Sequence, residues 1–442
     1  MTGLSIAALT TLLLWALPVV VGAEPSTATA HATTTSLTDT GDTAWVLVSS
    51  ALVLAMVVPG LSLFYGGLVR KKNVLGTMIY SFAVLCVVSL IWVIFGYSLA
   101  FGPDNGGVVG GLTWTMLSGV GSYPHAAYGP TVPHAAFMIY QLMLAAVTVA
   151  LIAGAAAERM RFSSLLLFSV LWSIFIYCPL VHWIWGGGWL AKWGVLDFAG
   201  GTAIHLSSGF GALACILVFG RRRGYGTDYM APHNLPLALL GAGLLWFGWL
   251  GLNGGSARAA NAVAVSALVM THIAAASAGI SWMAVEWAHR GKSTALGVAS
   301  GVVAGLAAVT PAAGFIGLSG AILIGFSAGA ASYYAIVWKG KIGYDDALDV
   351  VGIHAVGGLV GMLGTGLFAS KAVNPSGGDG LFFGNPAQLG TQAMAVLAVS
   401  VFALVGTYLI LKLVDVMTGL RVSPEEEALG LDLSQHNERA YS

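Results

Sequence analysis

Eleven runs of about twenty mostly apolar residues, divided by short charged segments, constrain this chain more than any other feature. A helix rising 1.5 Å per residue needs about 20 such residues to cross the hydrocarbon core of a bilayer. The runs lie at 44–69, 74–101, 133–156, 163–184, 201–220, 235–253, 262–285, 294–310, 314–338, 350–370 and 391–414, the eighth being short. With 57% hydrophobic and 8% charged residues, the chain falls far below the charge content of a soluble domain, about 25%. The predicted fold is therefore an all-α membrane protein with eleven transmembrane helices.

Lys and Arg set the expected orientation. One set of connections holds Arg70, Lys71 and Lys72, then Arg159 and Arg161, Arg221 to Arg223, Arg290 and Lys292, and Lys339 and Lys341, with Lys412, Arg421 and Arg439 toward the end. The opposite set holds only Lys192, Arg258 and Lys371. The basic set is expected in the cytoplasm, giving an N-out, C-in chain, and an odd number of spans demands the same result. Basic and acidic residues balance at 18 each, which excludes a global basic field for nucleic acid. Cys86, Cys178 and Cys215 each lie within an apolar run without metal-ligand spacing and are expected to be buried small hydrophobes.

Residues 1–23 have the apolar core and small-residue end of a secretory signal peptide, although no Lys or Arg precedes that core. Residues 24–43 are Ser/Thr-rich and are expected to form a flexible outer segment, followed by the transmembrane domain over 44–416 and a cytoplasmic tail over 417–442. Sixty glycines suit helices that pack backbone against backbone in a membrane.

Histidine inside an apolar span is costly and marks a pathway. His205 lies in DFAGGTAIHLSSGFGAL, after Asp197, and His354 lies in DVVGIHAVGGLVGMLG, after Asp349. These fall on spans five and ten. If spans one to five and six to ten are repeats, five crossings each makes the second unit inverted relative to the first, with span eleven added, and brings the two histidines together near a pseudo-two-fold axis. Each ring taken alone also fits an ordinary buried histidine bonded to a carbonyl. Neutral imidazoles offer one donor and one acceptor each, which suits a small, weakly basic solute or a proton relay rather than a metal cation or an anion.

PGLSLFYGGLVRKKNVL (Pro59–Leu75), AERMRFS (Ala157–Ser163), WGGGWL (Trp185–Leu190), DFAGGTAIH (Asp197–His205), PHNLP (Pro232–Pro236), NGGSA (Asn253–Ala257) and DVVGIHAVGG (Asp349–Gly358) occur in this order. Over essentially the whole chain from Ala44, these stretches resemble the ammonium transporter family (Amt/Rh). The resemblance implies a multi-pass protein of the cell inner membrane, a homotrimer in which each subunit carries a narrow pore for ammonium or ammonia, without a cofactor and without enzymatic activity. It further implies ammonium recruitment by Trp185 and Ser256, with Asp197 as an electrostatic anchor and Tyr140 as an aromatic of the mouth. His205 and His354 would be the pore imidazoles, Trp249 is a pore residue retained on the sixth span, and Asp349 would hold the start of the tenth span. Where the family stacks two phenylalanines, this chain has Leu144 and Leu252. The tail GLRVSPEEEALGLDLSQHNERAYS resembles a regulatory C-terminus that docks a PII-type signalling protein, so an ammonium sensor acting through such a partner is the alternative reading.

Taken without the family, Trp185 fits a belt tryptophan among Trp183, Trp189 and Trp193, Ser256 fits a cap for the seventh span, and Asp197 fits a cap for the fifth.

Overall fold

A computed structural model describes residues 38–441, so the expected signal peptide and most of the outer segment lie outside the described residues. The first helix begins four residues before the expected run, because the Asp39 carboxylate accepts the Asp42 amide at 2.8 Å and caps it.

The helices in chain order are α1 (Thr40–Leu68), α2 (Lys71–Phe101), α3 (His134–Ala153), α4 (Phe162–Lys192), α5 (Gly201–Phe219), α6 (Leu235–Gly255), α7 (Ala262–Arg290), α8 (Ala295–Val309), α9 (Leu318–Ile342), α10 (Val351–Phe368) and α11 (Pro386–Thr418). Ten of these are long and apolar enough to cross a membrane, whereas α8 is apolar but has only 15 residues. Pro59 lies in mid-α1, where its ring opposes a regular helical turn, and the chain widens there into a π-turn over Met56–Leu61.

Helix α6 lies along α1, α7 packs on α8 and α9, and α5 lies against α10 and α11. Several of these crossings leave no room for a Cβ, two of them at the helices named above. A Cβ on Gly241 would sit 2.2 Å from the Phe64 amide where α6 crosses α1, and one on Gly209 would sit 2.3 Å from the Ala355 amide where α5 crosses α10. The second crossing brings the two histidine-bearing helices together. Between α2 and α3 the chain forms two small antiparallel hairpins, Asp104–Asn105 with Val109–Gly110 and Pro124–His125 with Gly129–Pro133.

One end of the bundle gathers the basic connections. Buried Glu158 accepts from the Arg70 amide and guanidinium, from Asn73 at 2.8 Å and from Arg222 at 2.6 Å, while Arg222 also grips Asp345 and Arg159 lies 3.6 Å from that carboxylate. The tail is ordered on this face as two short helices, α12 (Pro424–Leu429) and α13 (Leu431–His436). Glu427 pairs with Arg421 at 2.7 Å, Asp432 accepts the Gly76 amide at 2.8 Å, and Lys72 donates to two carbonyls at the end of α12. Cys178 and Cys215 are buried as expected. Cys86 departs from expectation, because it lies on the outward face of α2 and is exposed.

Candidate functional site

At the end of the bundle opposite the basic network, the regular part of α4 ends at Ile184, and Trp185 leads into a glycine-rich turn. Its indole N–H donates to the Asp197 carbonyl at 2.8 Å, which fixes the ring at the edge of a cavity of about 280 Å³. Ser256, Arg258, Phe137, Leu144, Phe198 and Phe315 contribute to the walls of the same cavity. On α3 the lining residues Phe137, Gln141 and Leu144 follow the i, i+4, i+7 spacing of one helical stripe.

The Asp197 carboxylate is committed to the backbone. One oxygen accepts the Gly200 and Gly201 amides at 2.8 and 2.7 Å, and the other accepts the Thr202 amide at 2.7 Å together with the Thr202 hydroxyl. These contacts satisfy the unpaired amides at the N-terminus of α5, where a negative group also complements the helix dipole. The same residue thus holds Trp185 through its carbonyl and the histidine-bearing helix through its side chain.

Ser256 lies at the C-terminus of α6, not at the start of the seventh span; Asn261 caps α7 by accepting the Ala264 amide at 3.1 Å. The Ser256 hydroxyl donates to the Leu252 carbonyl at 3.0 Å and lies 3.0 Å from the Tyr140 hydroxyl, which itself donates to the same carbonyl. Tyr140 is fully buried and does not line the cavity, so its position is behind Ser256 rather than on the mouth surface. Leu144 reaches the cavity wall, whereas Leu252 is buried away from it.

Both histidines stand on widened turns, Gly201–Leu206 in α5 and Val351–Ala355 at the start of α10. The His205 amide bonds back five residues to Gly200 at 3.0 Å, the pattern of a π-turn, a feature common at functional sites. The rings stack at 17° with centroids 5.2 Å apart, and their Nδ1 atoms are 3.2 Å apart. Such a contact needs a proton on one Nδ1 and a lone pair on the other. In a neutral pair the two rings are therefore opposite tautomers, and their outer Nε2 atoms are one donor and one acceptor. His205 Nε2 is buried and has no hydrogen-bond partner among the described residues. Trp249 stacks on His205 at 5.3 Å and is held by its N–H to the Thr310 hydroxyl at 2.8 Å. On the basic side, His354 and Trp249 border a space of about 10 Å³ closed by Leu61, Phe64, Tyr65 and Ile353, the scale of a single water.

The capping arrangement differs from the expected one at α10. Asp346 accepts the Val351 amide at 2.8 Å, whereas Asp349, in a left-handed conformation with φ 59°, pairs with Lys339. Asp346 lies eight residues before His354, as Asp197 lies eight before His205, so Asp346 rather than Asp349 matches Asp197 in its spacing to a histidine. Burial pushes the Asp346 carboxyl up to about 6, against the opposing pull of Lys339. The aromatic residues Tyr128, Phe137, Phe198 and Phe315, with Arg258 and Asn374, are cavity residues not singled out by sequence.

The Ammonium Transporter Family model matches residues 44–441. The ammonium transporter Amt1 of Archaeoglobus fulgidus is 49% identical over 402 residues, 91% of this chain and 99% of that protein. The crystal structure of Saccharomyces cerevisiae Mep2 superposes with a TM-score of 0.84 at 35% identity, covering 92% of this chain and 93% of that one. A structure titled "Sensor Amt Protein" superposes with a TM-score of 0.82 at 28% identity, covering 90% of this chain and 98% of that one. With that similarity and these apolar helices, the chain is a multi-pass membrane protein of the ammonium transporter family, and not an enzyme.

Proposed function

We propose that ammonium is recruited in the cavity between Trp185 and Ser256, gives up its proton to external water at the apolar wall that Leu144 contributes, and crosses as ammonia along His205 and His354, with or without co-transport of that proton. The observation that carries this reading is the stacked imidazole pair, with Nδ1 atoms 3.2 Å apart, buried in the same bundle as the cavity that Trp185 lines. The indole face offers cation–π attraction on the order of 1–2 kcal/mol, and the Ser256 oxygen offers an acceptor for an N–H donor. An intact ion beyond that point would leave a charge in an apolar passage, at a cost of several kcal/mol. Ammonia carries no charge and both donates and accepts, which matches a pair of neutral rings whose Nε2 atoms are one donor and one acceptor.

Counting α8 as a short span gives eleven crossings, with the basic end in the cytoplasm and the Trp185 cavity outside. Packing of α1 along α6 and of α5 against α10 supports the five-plus-five inverted repeat. By likeness to the family, the protein sits in an inner membrane as a homotrimer, with the ordered tail as the docking surface for a PII-type partner. The transport reading is tested with purified protein in liposomes under an inward ammonium gradient. Internal alkalinisation faster than in protein-free vesicles, or an ammonium-evoked current, is expected; the absence of both refutes it.

A further inference from the structure

The recruitment cavity contains a cation of its own. Arg258 lines it together with Trp185, Asp197 and Ser256, and is the only Lys or Arg among the described residues that does so. No carboxylate among the described residues forms an ion pair with it. The guanidinium donates instead to two backbone carbonyls, Tyr128 at 3.1 Å and Ala127 at 3.4 Å. Asp197 lines the same cavity, but its oxygens are engaged by α5 amides and the Thr202 hydroxyl.

The backbone places this side chain at a conformational cost. Arg258 has φ 58°, in the left-handed region where a side chain is disfavoured and glycine is not. The loop is held there from several sides: the Arg258 amide bonds the Gly255 carbonyl at 2.8 Å, Trp45 donates to the Gly254 carbonyl at 3.0 Å, and Asp42 accepts the Ala260 amide at 2.8 Å. Strained, over-determined positions of this kind mark functional constraint.

We infer that Arg258 is a specificity-determining residue of the mouth, a fixed positive charge that opposes cation entry and sets a low apparent affinity for ammonium. This rests on the transport reading above. A cavity of about 280 Å³ is roughly 8 Å across, so a bound ammonium and the guanidinium lie within one Debye length and repel. At that separation, with Asp197 offsetting part of the field, the charge raises the apparent KM by about two- to tenfold. The sign carries a signature. A mouth that repels its substrate binds it better as salt screens the repulsion, whereas an attractive mouth binds it worse.

The test uses full-length protein in phosphatidylcholine liposomes with ammonium chloride as substrate, and varies sodium chloride from about 10 to about 200 mM. Wild-type KM is expected to fall as salt rises. Arg258→Gln is expected to lower KM about two- to tenfold at low salt with little change in maximal flux, and to lose the salt response. Arg258→Lys keeps the charge but loses the planar fork, and is expected to retain the wild-type KM and salt response. A wild-type KM that is flat or rises with salt overturns the inference, without recourse to any variant. So does an Arg258→Gln protein with unchanged or higher KM, or an Arg258→Lys protein that behaves like Arg258→Gln, since either assigns the residue to holding Tyr128 rather than to its charge. Wild-type protein without flux defeats the transport reading itself, and this inference with it.

Discussion

Asp197→Asn separates a structural cap from an electrostatic anchor. The substitution keeps one oxygen, enough for the Gly200 and Gly201 amides at 2.8 and 2.7 Å, and replaces the other by an NH₂ group facing the Thr202 amide at 2.7 Å. The Thr202 hydroxyl can rotate to accept, but the amide cannot. One buried N–H therefore loses its partner, at about 1–3 kcal/mol, and the hydrogen bonds that remain lose their charge assistance, about 1 kcal/mol more. The expected penalty is about 2–4 kcal/mol, concentrated in the first turn of α5, the turn that carries His205. Each 1.4 kcal/mol beyond the turn's own margin lowers its ordered population about tenfold. The protein is thus expected to melt several degrees lower and to conduct at least about tenfold less, whereas the carbonyl that holds Trp185 is unchanged, so ammonium KM rises only by the few-fold that one lost negative charge in the cavity contributes. Liposome flux and a detergent thermal melt read both quantities. Flux within about twofold of wild type and an unshifted melt would refute the capping role. A raised KM with an unshifted melt would show that the carboxylate acts by its charge alone.

Three further outcomes follow from the same geometry. Leu252→Phe, at one of two positions where the family has stacked phenylalanines, is expected to make conduction more like the family's common form; unchanged methylammonium uptake and selectivity would show that the leucine is neutral. Ser256→Ala removes an oxygen at the cavity and is expected to raise the ammonium KM about fivefold, the worth of about one hydrogen bond, with maximal flux little changed; an unchanged KM would remove Ser256 from recruitment. At the basic end, burial pushes the Glu158 and Asp345 carboxyls up, but Arg222, Arg70 and Arg159 outweigh it and hold both below the usual carboxylate range. Groups with depressed folded values contribute stability that is present above the unfolded values, about 4.3 and 3.9, and is lost as pH falls through the folded ones. Thermal stability should therefore decline below about pH 4.5, and Glu158→Gln should flatten that decline while lowering stability at neutral pH by about 3–5 kcal/mol; an unaltered acid profile in that variant would refute the assignment.

Most of the helices were legible because the bilayer imposes a length and an apolar content that few soluble helices share. The histidine pair was legible because, of the five histidines within the apolar runs (His134, His182, His205, His272 and His354), these two follow an aspartate and small residues in similar local strings. Which aspartate caps α10 was not. Asp349 stands nearest the glycine-rich run, but its left-handed backbone turns it toward Lys339, and the chain returns Asp346 to the helix start instead. Tyr140 illustrates a second limit. It is one helical turn from Leu144, but the stripe of α3 that lines the cavity runs through Phe137, Gln141 and Leu144, and Tyr140 lies behind Ser256. The aromatic walls and Arg258 come from segments far apart in sequence, so only packing assembles them. Cys86 appeared buried because apolar sequence does not distinguish a bundle interior from a lipid-facing surface.

The paired imidazoles are tested most directly by ammonium flux through His205→Leu and His354→Leu proteins in liposomes, measured beside ammonium quenching of Trp185 fluorescence. If the rings conduct ammonia, each variant loses most of the flux while ammonium still binds at the Trp185 cavity. Wild-type flux in both variants would contradict the pathway.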